Sequence, residues 1–303
     1  MFKPRTLIVL GAGASAELGL PLGRKLKQSI KSLMSSGPTS DDRVWSVGGL
    51  RRLADQEFSE ALHNAIFPQG RVVPSLPLNL YNATRIIEGG IGFSASVDNF
   101  LALRSKEPLV AQVAKAAIAW SLFEEEWLAR PRLGNGSNPE QVELDGTWFQ
   151  AFSEICFSGA EIDQIDEALS RFEVVSFNYD RCLEAFLRLS IMGLYSLSHD
   201  IAMKHARSVE IIYPYGSLGD YNSEAVNLEL GGRNHEGRLS LAMGRIKTFA
   251  EGAADREKLA AAARKADRIV FLGYGFHRQN NDMFVLAEKS EKMVYATCHG
   301  FSE

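Results

Sequence analysis

Four short apolar runs in this chain each end in a small, polar or glycine-rich tag. Thr6–Leu10 runs into Gly11-Ala12-Gly13-Ala14-Ser15, and Phe172–Phe177 runs into Asn178-Tyr179-Asp180. Val209–Tyr213 leads to Tyr215-Gly216-Ser217, and Ile269–Leu272 leads to Gly273-Tyr274-Gly275-Phe276. Short continuous apolar runs predict strands covered on both faces, as in a parallel sheet. Between them, apolar positions recur at three and four residues and predict helices. One passes through Leu22, Leu26, Ile30 and Leu33 and stops near Ser35-Ser36-Gly37-Pro38. Others follow Asp180, cover about Asp255–Ala266, and lie near Asp282–Lys289, with a last strand at Met293–Thr297. This alternation implies an α/β fold with a doubly wound, parallel, Rossmann-like sheet. The carboxyl ends of such strands lie on one edge, where ligands bind. The four tags are therefore expected to meet at one site.

From about residue 39 to 170 the pattern is helical, with no convincing buried strand. The predicted helices lie near Leu50–Ile66, Leu78–Ile87, Val97–Leu103, Leu109–Leu128, Trp148–Phe157 and Ile162–Leu169. Pro131 to Gly146 is rich in Gly, Asn and Pro and reads as a loop. The stretch is read as a helical insert subdomain within a single domain over residues 1–303. The chain ends at Glu303, soon after Thr297, with no helix to cover the last strand. A continuation of the natural protein is compatible with that pattern.

Composition narrows the function classes. The formal charge is 33 minus 37, or −4, which gives no general attraction to nucleic acid. Lys25, Lys27 and Lys31 recur at roughly helical spacing and read as a solvated face. Cys156, Cys182 and Cys298 are isolated, so no zinc ribbon or disulfide framework is expected, and a reducing cytoplasm suits them. The apolar run after Lys3, Pro4 and Arg5 is too short for a signal-peptide core. The most apolar helix, about Leu109 to Phe123, is too short to span a bilayer. A soluble, cytoplasmic protein without membrane or nucleic-acid partners is expected.

The tags carry the candidate chemistry. Gly11, Ala12, Gly13 and Ser15 join a strand to a helix, where glycines permit close backbone approach and free N–H groups favour a pyrophosphate. A dinucleotide-dependent dehydrogenase needs an acid at a second strand end about 20 residues on. The window Lys31–Ser36 is helical and holds none, which counts against that chemistry. Asn178 sits at a strand end, where its amide suits a ribose hydroxyl or a water, or simply forms a turn. Asp180 sits where a helix cap is expected, and Ser96 and Asp98 are capping candidates for the helix that follows them.

The run Gly11–Pro21 closely resembles the nucleotide loop of the sirtuin family, GAGxSxxxGIP, and Arg24 matches the Arg that follows it there. Ser176–Asp180 resembles the family's second motif, and Gly273–Phe276 its late glycine motif. Tyr179-Asp180, Gly273-Tyr274-Gly275-Phe276, the His277–Asn280 extension and Ser96–Leu101 are similar to a bacterial sirtuin-like branch. Many members of that branch consume NAD in antiphage defence. The resemblance implies a sirtuin-type fold, with NAD as substrate and no zinc. It implies Gly11, Ala12, Gly13, Ser15 and Arg24 toward the nucleotide, with Asp98, Gly216 and Ser217. Gly273, Tyr274, Gly275 and Phe276 would take the adenosine half. Asn178, Asp180 and Tyr215 would be the catalytic set.

One position departs from the family. Sirtuins carry His-Gly where this chain has Tyr215-Gly216. Tyrosine, with a pKa near 10, is a poor base at neutral pH but a good hydrogen-bond donor. The exchange bears on turnover rather than on NAD binding, and Tyr215 also reads as a core aromatic. His277 and His235 are the candidate replacement bases. The expected activity is NAD glycohydrolysis to ADP-ribose and nicotinamide. The alternatives are a protein deacylase, a non-catalytic NAD or ADP-ribose sensor, and a subunit of a defence assembly with a nuclease or ATPase partner. The helical insert suggests, by analogy, a homo-oligomer.

Overall fold

A computed structural model describes residues 5–36, 53–68, 76–134, 138–219, 238–252, 255–284 and 292–297. Five parallel strands form one sheet: β1 (Thr6–Leu10), β2 (Phe172–Ser176), β3 (Ile211–Ile212), β4 (Arg268–Leu272) and β5 (Met293–Ala296). Their order, β3-β2-β1-β4-β5, is a Rossmann-like arrangement with its reversal between β1 and β4. β1 is central and in register with both neighbours, Leu10 pairing with Ser176 and with Leu272.

Alternation along the strands assigns side chains to two helical layers. Leu7, Val9, Val175, Phe177, Ile269 and Phe271 face one core, which they share with helices Gly23–Leu33, Gln56–Ile66, Leu78–Gly90 and Pro108–Ala129. Ile8, Leu10, Phe172 and Val174 face the other, shared with Trp148–Phe157, Cys182–Tyr195 and His199–Ala206. Helices from the stretch between β1 and β2 thus pack on both faces of the sheet.

Some elements differ from expectation for local reasons. The helix expected through Leu22, Leu26, Ile30 and Leu33 is present as Gly23–Leu33, and a further short helix, Ala12–Ala16, precedes it. Gly19 takes φ 95°, a left-handed conformation that breaks the run. β3 keeps only two residues of the predicted Val209–Tyr213. Pro214 follows, with no N–H to extend the ladder. His199–Ala206 is a helix that the periodicity did not single out. A short helix covers Arg278–Asn281. The start of the predicted Leu50–Ile66 helix, most of Asp282–Lys289, part of the Pro131–Gly146 loop, His235 and Cys298 lie outside the described residues. Among the described residues, no helix is long and apolar enough to cross a membrane.

A buried ion pair joins the longest helix to the exit of β2. Glu126 and Arg181 are both 0% exposed. Arg181 donates from Nη2 to Oε2 at 2.5 Å, and from Nε and its backbone N–H to Oε1 at 3.2 and 3.0 Å. The guanidinium also lies over the Phe123 ring, 5.9 Å from its centroid. The carboxylate thereby holds one loop residue by side chain and backbone together. Removing one member leaves a buried charge, so Arg181→Met is expected to cost about 3–5 kcal/mol. Glu126→Leu with Arg181→Met should recover most of that loss. Urea unfolding at constant m-value measures both.

Candidate functional site

All four tags lie at the carboxyl edge, and backbone contacts join them. Gly11 donates to the Leu272 carbonyl at 3.0 Å, and Gly13 donates to the Gly273 carbonyl at 3.0 Å. The approach excludes side chains. A Cβ on Gly273, which has φ 56°, would lie 2.0 Å from the Ala14 nitrogen, and one on Gly13 would lie 2.7 Å from the Gly273 Cα. On the other side, Phe177 donates to Leu10 O, and Leu218 donates to Tyr179 O at 2.8 Å. The glycines at the β1–β4 reversal thus serve loop packing directly. One N–H expected to face a phosphate, that of Gly13, is already bonded to Gly273.

A cleft of about 560 Å³, its open mouth included, lies beside this junction. Its apolar wall is Ala12, Leu20, Pro21, Leu26, Val97, Leu122 and Phe177, and its polar groups come from Ser15, Ser96, Asp98, Asn178 and Asp180. That mixture of apolar wall and convergent polar groups suits a small organic ligand. Five expected site residues line it: Ala12, Ser15, Asp98, Asn178 and Asp180.

Asn178 is oriented by its acceptors. Its Nδ2 donates to Gly11 O at 3.0 Å and to Ser15 Oγ at 3.1 Å. A carbonyl can only accept, so the amide nitrogen must face Gly11. Both amide protons are then used, and the side-chain Oδ1 is the end left for a ligand. Ser15 hydroxyl in turn hydrogen-bonds the Asp180 carboxylate, which also accepts from the Cys182 N–H at 3.1 Å. Asp180 therefore holds the start of the Cys182–Tyr195 helix while lining the cleft. Burial raises its pKa above the usual carboxylate value, opposed by the Ser15 and Cys182 hydrogen bonds.

The capping question at Asp98 is answered by Ser96, whose side chain accepts from Asn99 N at 3.0 Å. Asp98 is released from that duty, and its Oδ1 accepts from the Tyr179 hydroxyl. Burial raises its pKa, with the Tyr179 hydrogen bond, then its own backbone N–H and then His277 acting the other way.

The remaining expected residues surround the cleft without lining it. Tyr215 is buried, its ring centroid 5.8 Å from that of Phe177 and 6.4 Å from that of Tyr179. Its hydroxyl donates to Asn280 Oδ1 at 2.8 Å, and burial with the nearby Asp98 charge pushes its pKa up. Gly216, with φ 73°, packs its backbone on Arg245, and Ser217 Oγ accepts from Gly219 N at 3.3 Å. Gly273 N donates to Thr297 Oγ1, and the buried Tyr274 donates to Asn281 Oδ1 at 3.2 Å. Gly275 and Phe276 are exposed, as are His277 and Arg24.

Three supports escaped sequence reasoning. The Trp148 indole N–H donates to Ala14 O at 2.7 Å, while its backbone N–H donates to Glu17 Oε2 at 2.8 Å. Both ends of the glycine turn are thereby tied to the helical stretch. Glu126, discussed above, lies in a run of three glutamates that reads as a solvated face. Its one signal is its spacing of four from Leu122 and three from Ala129, both buried. The third is Glu184, whose pKa burial raises to about 7. The Tyr213 hydroxyl donates to its Oε1, and its buried Oε2 has no hydrogen-bond partner among the described residues.

Glu184 yields a pH prediction. Its folded pKa is above the ordinary value of 4.5, so the folded state holds the proton more tightly. The associated stability is full below about 4.5 and is lost as pH rises through about 7. Relative to Glu184→Gln, the wild-type chain should lose stability across that window. Urea midpoints measured at intervals of pH check this, and a constant difference between the two proteins contradicts it. Comparison with protein-family models, curated proteins and solved structures gave no match.

Proposed function

We propose that the chain binds NAD and hydrolyses its nicotinamide–ribose bond, in a sirtuin-type variant of the Rossmann-like fold. The observation that carries this reading is the chain of contacts from Gly11 O and Asn178 through Ser15 to Asp180, bordering one cleft at the sheet reversal. The motifs that resemble the sirtuin-like branch supply these residues in the same order along the chain. As in that branch, NAD depletion in antiphage defence is the proposed role, in the cytoplasm, with self-association or a defence partner.

The chemistry asks for few groups. Departure of a neutral pyridine leaves an oxocarbenium-like ribose, and oriented polar acceptors stabilise the developing charge. Asn178 Oδ1 is such an acceptor, held by two hydrogen bonds on the amide nitrogen. Asp180 supports the same ribose from behind Ser15. The Ala12 N–H opens its helix without an intrahelical acceptor and is the donor offered to a phosphate.

A second reading, a sensor that binds NAD or ADP-ribose without turnover, draws on Tyr215. Its hydroxyl is committed to Asn280, away from the histidine role of the family. Nicotinamide release from NAD, measured beside calorimetry with NAD and ADP-ribose, separates the two. Hydrolysis is expected for the wild-type chain, with Asn178→Ala reducing it by about 100-fold or more. Equal rates would remove Asn178 from catalysis, and binding without release would establish the sensor.

A further inference from the structure

We infer that Asp98 is the general base of the reaction, taking the place left by the absent family histidine. This assignment rests on the NAD-cleaving reading above. It follows from asking which group at the cleft can accept a proton from water.

Tyr215 is excluded by geometry, because its hydroxyl donates to Asn280 and it does not line the cleft. His277 is exposed, opens the Arg278–Asn281 helix, and does not line the cleft either. Ser96 is engaged with Asn99 N as a cap. Two carboxylates remain. Asp180 is buried and engaged by both Ser15 and the Cys182 N–H. Asp98 is only half-buried and lines the cleft, where the Tyr179 hydroxyl and its own backbone N–H hydrogen-bond its carboxylate. Of the two carboxylates it is the more exposed.

Tyr179 makes this a positioned base. It stands between Asn178 and Asp180 in sequence, and its carbonyl accepts from Leu218 N at 2.8 Å. The residue that holds Asp98 is thus fixed to the loop that holds Asn178. The other titratable groups facing Asp98 are Tyr215 from the β3 exit and His277 from the β4 exit. Charges on the two helices beside Val97–Leu103 are turned elsewhere: Glu251 pairs with Lys115 at 2.9 Å, and Lys27 donates to Ser94 O.

In the step, the water oxygen bonds to the anomeric carbon and gives one proton to the Asp98 carboxylate. The carbon–nitrogen bond breaks, and its electron pair neutralises the pyridinium as nicotinamide. Asp98 then releases the proton to solvent, so NAD and water give ADP-ribose, nicotinamide and one proton.

The test compares wild type, Asp98→Asn and Tyr179→Phe, using NAD as the probe. Affinity for NAD is read by calorimetry and nicotinamide release is followed against pH. Asp98→Asn should bind NAD as wild type does while release falls by about 100-fold or more. Tyr179→Phe removes a hydrogen bond that favours the charged carboxylate, so the acidic limb of its rate profile should move to higher pH. Survival of turnover in Asp98→Asn, or an acidic limb unmoved in Tyr179→Phe, would overturn the assignment alone. A wild-type chain that does not cleave NAD would overturn the NAD-cleaving reading and this assignment with it.

Discussion

The backbone of Gly13 rests on the backbone of Gly273, and the rest of the site depends on that contact. The sheet reverses direction between β1 and β4, so the two exit loops part over neighbouring strands. A side chain on either loop would wedge them apart, since a Cβ on Gly273 would meet Ala14 N at 2.0 Å. With glycine at both places, the first turn lies low against the sheet edge. Gly11 O is then within reach of Asn178, and Ser15 stands between Asn178 and Asp180. The polar face of the cleft is thus a consequence of how closely two backbones approach.

The helical stretch contributes as much as the sheet. Glu126 grips Arg181 by three hydrogen bonds in a site without solvent. Trp148 holds Ala14 from the opposite helical layer. Leu122, one turn before Glu126, forms part of the cleft wall, and Asp98 adds a carboxylate facing Tyr179. The segments before and after the helical stretch therefore carry the glycine and asparagine tags, while the stretch itself sets their spacing. A buried ion pair is a weak source of net stability, because desolvation offsets the attraction. Its value here is geometric: the Glu126 carboxylate holds the Arg181 side chain and backbone N–H together.

β1, β2 and β4 were legible because each carries a short, largely apolar run, fully buried in β1 and β2 and alternately buried in β4, and their tags marked where the edge lay. β3 was less so, since Pro214 ends its ladder after two residues. The helix through Leu22–Leu33 was legible from its apolar spacing, whereas Ala12–Ala16, closed off by the left-handed Gly19, is too short to carry a period. Of the site, Ala12, Ser15, Asn178 and Asp180 were named from the strand-end tags and Asp98 from the resemblance, and all five line the cleft. Glu126, Glu184 and Trp148 were not, because each acts on a partner distant along the chain. A glutamate in a charged run shows nothing of an arginine that only the fold brings to it. Tyr215 was legible as a departure, but its bond to Asn280 depends on how β3 and β4 exits face one another.

The central proposal is that the β1 and β2 exit loops, with helices Gly23–Leu33, Val97–Leu103 and Pro108–Ala129, build one cleft that takes NAD for cleavage. A crystal structure of the chain with an uncleavable NAD analogue tests this most directly. The account predicts the nicotinamide ribose at Asn178 Oδ1, with the Asp98 carboxylate facing the anomeric carbon across a water and a phosphate at the Ala12 N–H. A ligand bound elsewhere, or a ribose out of reach of both Asn178 and Asp98, would contradict it.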